Sequence, residues 1–303
     1  MPAIQQNLEL DGVPIVRMES AHLQVGVVPS VGGRIVSIID KRTGHEFLWR
    51  NQALRLELKP SGTEYDPNFY GGIDELLPND LAEPIIGIDC PDHGELWTTP
   101  LQAKVAGDHL ILHGRLARFG LEYHREMHLR AGEPWIDFKY RIANTTQQSR
   151  DFLWKLHAAV AVQEGDVIEC PARRAQIVDP AWSRFKTREP FKWPEIEGRG
   201  ANIIPAKDGT MDFFYLFDLA KGEMFWCRPK TGLKFGYQFD TKIFPFAWLF
   251  ASYGGFLDHY TIILEPCTAM PMSVKDAAAK AQCSRLEPGQ VLDTIVSLYA
   301  GPA

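Results

Sequence analysis

What this chain of 303 residues lacks already narrows its role. It has no long hydrophobic run. The most apolar stretch, Phe244 to Phe250, is interrupted by Pro245, whereas a membrane helix needs about 20 residues. The opening MPAIQQNLEL carries neither a basic segment nor an apolar one, so no signal peptide is expected. The five cysteines, at 90, 170, 227, 267 and 283, are odd in number and include no C-x-x-C pair. That argues against a disulfide framework and against a cysteine-held zinc site, and it points to the reducing cytoplasm. Positive charge is in short supply. Lys and Arg total 32 against 38 Asp and Glu, a formal net charge of -6, so the basic footprint that nucleic acid requires is missing. Phosphate-binding and dinucleotide glycine loops, H-E-x-x-H and G-x-S-x-G are also absent, which removes the common nucleotide, zinc-protease and serine-hydrolase readings. No Pro-, Gly- or Ser-rich linker and no internal repeat divides the sequence, so residues 1–303 are expected to form a single domain.

What is present is period-two alternation. In Trp135 to Ile142 the residues Ile136, Phe138, Tyr140 and Ile142 alternate with Asp137, Lys139 and Arg141. Just before it, Leu121, Tyr123, Met127 and Leu129 share one face while Glu122, His124, Glu126 and His128 share the other. The turn Ala131-Gly132-Glu133-Pro134 joins the two as an antiparallel hairpin. Similar runs are expected at His22–Val28, Arg34–Ile39, Leu110–Leu116, Phe152–Val162, Met211–Leu216, Tyr260–Leu264 and Leu292–Tyr299. Helical periodicity is confined to Val274–Gln282, with Ser273 as its N-cap. The fold class that follows is all-β, an antiparallel sandwich or barrel with few short helices. Two long stretches without strand pattern, Lys59–Pro100 and Asp179–Asn202, are the natural places for a site.

The candidate functional residues are isolated polar groups in apolar surroundings. His157 lies in FLWKLHAAVAV, where alternation puts it on one face with Lys155, Ala159 and Ala161; small alanines leave room for a ligand, but a core histidine bonded to backbone fits as well. Glu265 closes YTIILEPCT, where burial would raise a carboxyl toward a general base's range, unless it simply reaches solvent at a strand end. His93 and Trp97, in PDHGELW, combine polar and aromatic groups as a sugar site does, though ordinary turn chemistry accounts for them as well, and Asp212 opens the apolar run MDFFYLFD, where a strand-start cap is the plain alternative. His124 and His128 are four residues apart on a strand, so roughly 13 Å separates them. One ion cannot take both, and they read as a solvated face.

The ordered set of blocks VVPSVGGRIVSIIDKRTGHEFLW, YGGIDELLPND, PDHGELW, LWKLHAAVAV, MDFFYLFDL, ILEPCTAMP and LEPGQVLDTIVSLYAG resembles the galactose mutarotase-like (aldose 1-epimerase) superfamily over nearly the whole chain. The resemblance implies a large antiparallel β-sandwich, called a supersandwich. It implies an aldose 1-epimerase that interconverts the α and β anomers of a free sugar, with Glu265 as general base and His157 as general acid. By the same resemblance His93 and Asp212 would bind the sugar, with Trp97 and Tyr70 beside it. Relatives usually carry an arginine near the early glycine pair; here Phe69-Tyr70 precedes Gly71-Gly72, leaving Arg34, Arg50 and Arg55 as candidates. Anomer exchange by acid–base ring opening calls for no cofactor and no metal. The implied partner is a small-molecule carbohydrate, with no nucleic acid and no membrane, the protein acting as a monomer or homodimer. The alternative is a sugar-binding sensor on the same fold without catalysis. Arg173, Arg174, Arg184, Lys186, Arg188 and Lys192 cluster around the second loop, and an acidic sugar is expected only if some of them face the pocket.

Overall fold

The computed structural model describes residues 2–303. Two large antiparallel sheets face each other. The larger has twelve strands, and its middle runs Arg34–Asp40, Ile73–Leu76, Lys155–Ala161, Tyr260–Cys267, Phe246–Tyr253 and Thr210–Leu219, in that spatial order. The smaller has eight strands and runs from Val167–Glu169 at one edge through Val291–Pro302, Trp135–Asn144, Leu121–Leu129 and His109–Arg115 to Gln102–Ala106 at the other. This is the expected antiparallel sandwich. Among the described residues no helix is long and apolar enough to cross a membrane.

The hydrophobic core lies between the sheets and includes Phe47, Phe138, Phe152, Trp154 and Trp226, all nearly solvent-free. The smaller sheet covers only one face of itself with core. Its Leu121–Leu129 strand therefore alternates buried and wetter positions, as its sequence does. The middle strands of the larger sheet are buried almost throughout. One face meets the core; the other meets a separate cluster in which Tyr65, Phe69 and Trp97 pack over Ala159 and Ile263. Those aromatics come from the Lys59–Pro100 stretch, which lies across the outer face of the sheet and makes a cavity there.

The expected elements needed three corrections. Phe152–Val162 is not one strand: Arg150–Phe152 pairs with Ser284–Leu286, and Lys155–Ala161 enters the large sheet separately. Between them the Trp154 backbone N–H is taken by the Thr268 hydroxyl rather than by a ladder partner. The Lys59–Pro100 stretch contributes Ile73–Leu76, a central strand of the larger sheet. The helix is Val274–Ala279, capped by Ser273, whose hydroxyl accepts from the Asp276 N–H at 3.2 Å.

Candidate active site

The cavity on the outer face of the larger sheet encloses about 470 Å³, a volume suited to a small ligand. Its polar floor follows from strand register. Lys155 pairs with Cys267 and Ala158 with Leu264, so the same register sets Glu265 beside His157. On its other side His157 pairs directly with Asp74. One strand thus offers Lys155 and His157 two residues apart on the cavity face, with a carboxylate on each flank.

Each of these groups is fixed by a buried network. Lys155 Nζ lies 2.6 Å from Glu265 Oε2 and 2.7 Å from Asp80 Oδ1, over the Trp248 ring. Burial opposes its positive charge, but Asp80 and Glu265 outweigh that and raise its pKa. Burial raises the Glu265 carboxyl above the usual range, and Lys155 offsets part of the rise. On the far side, Arg34 grips Asp74 with Nε at 2.5 Å and a terminal nitrogen at 2.9 Å. The Tyr65 hydroxyl lies 2.9 Å from Asp74 Oδ2 and 3.3 Å from His157 Nδ1. Burial, then the nearby Asp74 charge, holds the Tyr65 proton in place well above the ordinary tyrosine range.

This chain of bonds sets the tautomer of His157. A carboxylate only accepts, so Tyr65 donates its one proton to Asp74. The Tyr65 oxygen must then accept from His157, which places the imidazole proton on Nδ1. The other nitrogen, Nε2, is left with a lone pair. Burial, followed by the positive charges of Lys155, His93 and Arg34, keeps the ring neutral by pushing its pKa well below 6.5.

His93 completes the polar wall. Its ring stacks on Tyr65 with centroids 4.0 Å apart, and Nδ1 lies 2.8 Å from Asp92 Oδ1. Burial would lower its pKa, but the Asp92 bond and the Asp80 charge prevail and raise it. The backbone here turns through left-handed conformations at His93 and Gly94. A side chain at Gly94 would meet the Leu77 carbonyl at 2.4 Å, so the turn holding His93 needs glycine. Apart from Asp66, the rest of the wall is largely apolar, with Phe69, Phe213, Phe250 and Phe256, and with Trp182 at 56% exposure on the second loop.

The structure thus brings together three of the six residues singled out from sequence: Glu265, His157 and His93. The other three are placed elsewhere. Asp212 faces away from the cavity, because its neighbours Met211 and Phe213 line it and strand parity turns Asp212 to the opposite side. There it accepts from the Ser183 hydroxyl at 2.7 Å and from the Arg184 backbone and guanidinium. Trp97 stands edge-on behind Tyr65 with centroids 5.0 Å apart. Tyr70 packs with Val28, Val31 and Leu56 and lies under the Arg34 guanidinium. Of the three arginine candidates, Arg34 is next to the site, but its guanidinium is committed to Asp74. Sequence reasoning missed Lys155, Tyr65 and Asp80 as site residues. Only Lys155 left a signal, since alternation already put it on the face of His157. None of the six clustered basic residues lines the cavity, whose charged groups include Asp66, Asp80, Asp92 and Glu265 against Lys155.

A family described as Domain of unknown function (DUF5107) matches residues 9–73. A search of the curated proteins returns no match. Among solved structures the chain is similar to a protein of Synechocystis sp. PCC 6803, with a TM-score of 0.74, 16% identity, and 98% of this chain and 99% of that one covered. It is also similar to a galactose mutarotase-like protein from Clostridium acetobutylicum, with a TM-score of 0.73, 14% identity and 99% of each chain covered. A galactose mutarotase related enzyme from Lactobacillus acidophilus matches with a TM-score of 0.69 and 12% identity, covering 94% of this chain and 97% of that one. The fold is that of the galactose mutarotase-like proteins.

Proposed function

We propose that this protein is an aldose 1-epimerase acting on a neutral sugar in the outer cavity of its larger sheet. The observation that carries the reading is the pairing of Glu265 and His157 in one register at the cavity floor, each held by its own buried network. Ring opening of a hemiacetal needs one group to take the proton from the anomeric hydroxyl and another to give a proton to the ring oxygen. Rotation about the C1–C2 bond and reversal of both transfers then produce the other anomer.

The tautomer argues for a division of labour opposite to the one implied by the family resemblance. Neutral His157 offers a lone pair at Nε2, which suits the base. The Lys155–Glu265 pair holds the proton that the ring oxygen needs, and it recovers that proton on closure. Proton count is conserved over the cycle. The excess of carboxylates over cations on the cavity wall supports a neutral sugar, because a uronate or sugar phosphate would meet like charge.

Magnetisation-exchange NMR on equilibrated neutral and anionic aldoses tests the reading. Cross-peaks between α and β anomers of a neutral sugar, dependent on protein, are expected. Glu265→Gln should lower the exchange rate by about 10²- to 10⁴-fold, the usual worth of acid–base catalysis. Undiminished exchange in that folded variant would overturn the assignment. Tight binding of a sugar without exchange would make the protein a sensor instead.

A further inference from the structure

We propose that Asp108, His109 and His128 form a binding site for a divalent transition-metal ion of the zinc type, on the outer face of the smaller sheet and apart from the cavity. His124 and His128 lie too far apart along their own strand to share an ion. Register across strands gives a different result. His109 pairs directly with His128, and their rings stack with centroids 4.8 Å apart. Asp108, in the turn between Gln102–Ala106 and His109–Arg115, reaches both. Its Oδ1 is 3.3 Å from His109 Nε2 and its Oδ2 is 3.2 Å from His128 Nε2. Donor atoms of the three residues all lie within 4.8 Å of one another.

The two Asp108-to-histidine spacings are close to those between neighbouring donors of a tetrahedral ion, here made by separate oxygens of the carboxylate, and the donors of the two histidines lie within 4.8 Å of each other. With metal–ligand bonds of about 2.0–2.1 Å, neighbouring donors sit about 3.3 Å apart. Two imidazoles and one carboxylate are a ligand set for zinc and its first-row neighbours rather than for calcium or magnesium, which favour all-oxygen sites. His109 also has a carboxylate beside its other ring nitrogen, where metal-bound histidines ordinarily have one. Its Nδ1 lies 2.6 Å from Glu126 Oε1, which in turn contacts Lys139 Nζ at 3.1 Å. A carboxylate this close to Nδ1 favours the tautomer with its proton there, which leaves Nε2 for a metal. His109, His128 and Asp108 are partly exposed, at 31%, 29% and 41% respectively, so the ion has an entry path and open positions for water. Bound there, it would tie the turn at Asp108 to the Leu121–Leu129 strand and brace the sheet where Gln102–Ala106 forms its open edge.

Isothermal titration of the metal-free full chain with Zn²⁺, together with Co²⁺ absorption, tests the site. One Zn²⁺ per chain is expected, and bound Co²⁺ should give tetrahedral visible bands. His128→Ala and His109→Ala should each lower affinity at least tenfold, and Glu126→Gln should lower it by about 10- to 100-fold through the lost support of His109. His113→Ala, in the neighbouring cross-strand pair His113–His124, should leave affinity unchanged. Far-ultraviolet circular dichroism checks that each variant is folded, and His128→Gln serves where His128→Ala is not. Absence of stoichiometric binding would overturn the proposal. So would binding that His128 replacement leaves intact, or that His113→Ala weakens as much.

Discussion

His93 and His157 share one cavity, yet their environments push them in opposite directions. His157 has cationic neighbours and a buried ring, so it is neutral where an ordinary histidine is half charged, at about pH 6.5. His93 gains the Asp92 bond and the Asp80 charge, which keep its proton to higher pH. Nitrogen-resolved NMR across pH 5 to 8 should therefore show His93 titrating above about pH 6.5 and His157 far below it. At neutral pH the His157 Nε2 resonance should be that of an unprotonated imidazole nitrogen. A shared midpoint, or a proton on Nε2, would contradict the Tyr65–Asp74 argument. Catalysis separates the two role assignments. If His157 is the base, kcat/KM stays flat as pH falls from 8 through about 6, because its neutral form persists. A steady rise on acidification would return His157 to the acid's part. Linked stability carries the same signs. The His157 contribution is present above the unfolded pKa and lost as pH falls below it; that of His93 is present below it and lost as pH rises through its raised folded value.

At the scale of single elements, how readable each strand is depends on what covers its faces. The hairpin Leu121–Leu129 and Trp135–Asn144 has one wet face, and its alternation is plain in the sequence. Lys155–Ala161 is covered on both faces, so HAAVAV gives weak parity, and the break at Trp154 leaves no mark. Ile73–Leu76 is four residues long within a Gly- and Pro-rich stretch, too short to show any period. For the same reason the sequence does not tell which face Asp212 takes: Met211 and Phe213 on one side and Phe214 and Leu216 on the other are equally apolar. Glu265 and His157, the pair proposed to carry catalysis, were legible through the family resemblance, whereas Lys155, Tyr65 and Asp80 depend on contacts across strands and loops. Asp212 is fully buried and anchors Ser183 and Arg184 at the start of the Asp179–Asn202 stretch. Asp212→Ala strands those donors and should cost roughly 3 kcal/mol in urea unfolding. Because Trp182 beside them lines the cavity, KM should rise more than kcat falls. A variant of unchanged stability with kcat alone abolished would instead make Asp212 a catalytic group.

At the scale of the whole molecule, the short Ile73–Leu76 strand couples the site to the sandwich interior. Its adjacent carboxylates point to opposite sides. Asp74 supports Tyr65 and His157 at the cavity, while Glu75 enters the space between the sheets. There Glu75 Oε1 receives Arg125 from the smaller sheet at 2.7 Å, and its carboxylate also accepts from Tyr123, Tyr140 and Trp154. Arg125 is 1% exposed and also donates to the Gly33 carbonyl. A charge pair so far from water is retained at a desolvation cost, and losing one member leaves the other uncompensated. Arg125→Met should therefore destabilise the protein by about 3–5 kcal/mol, whereas adding Glu75→Gln removes the stranded charge and should restore a large part of the loss. Urea unfolding of wild type, both single variants and the double variant measures the coupling directly. Strict additivity, or a loss below about 1 kcal/mol for Arg125→Met, would mean that water reaches the pair and that the sheets are held by apolar packing alone. On the proposed function, the folded double variant should retain anomer exchange, because Asp74, Tyr65 and His157 lie on the other face of the sheet. If exchange were lost with stability restored, the interior pair would be setting the position of the site as well as joining the two sheets.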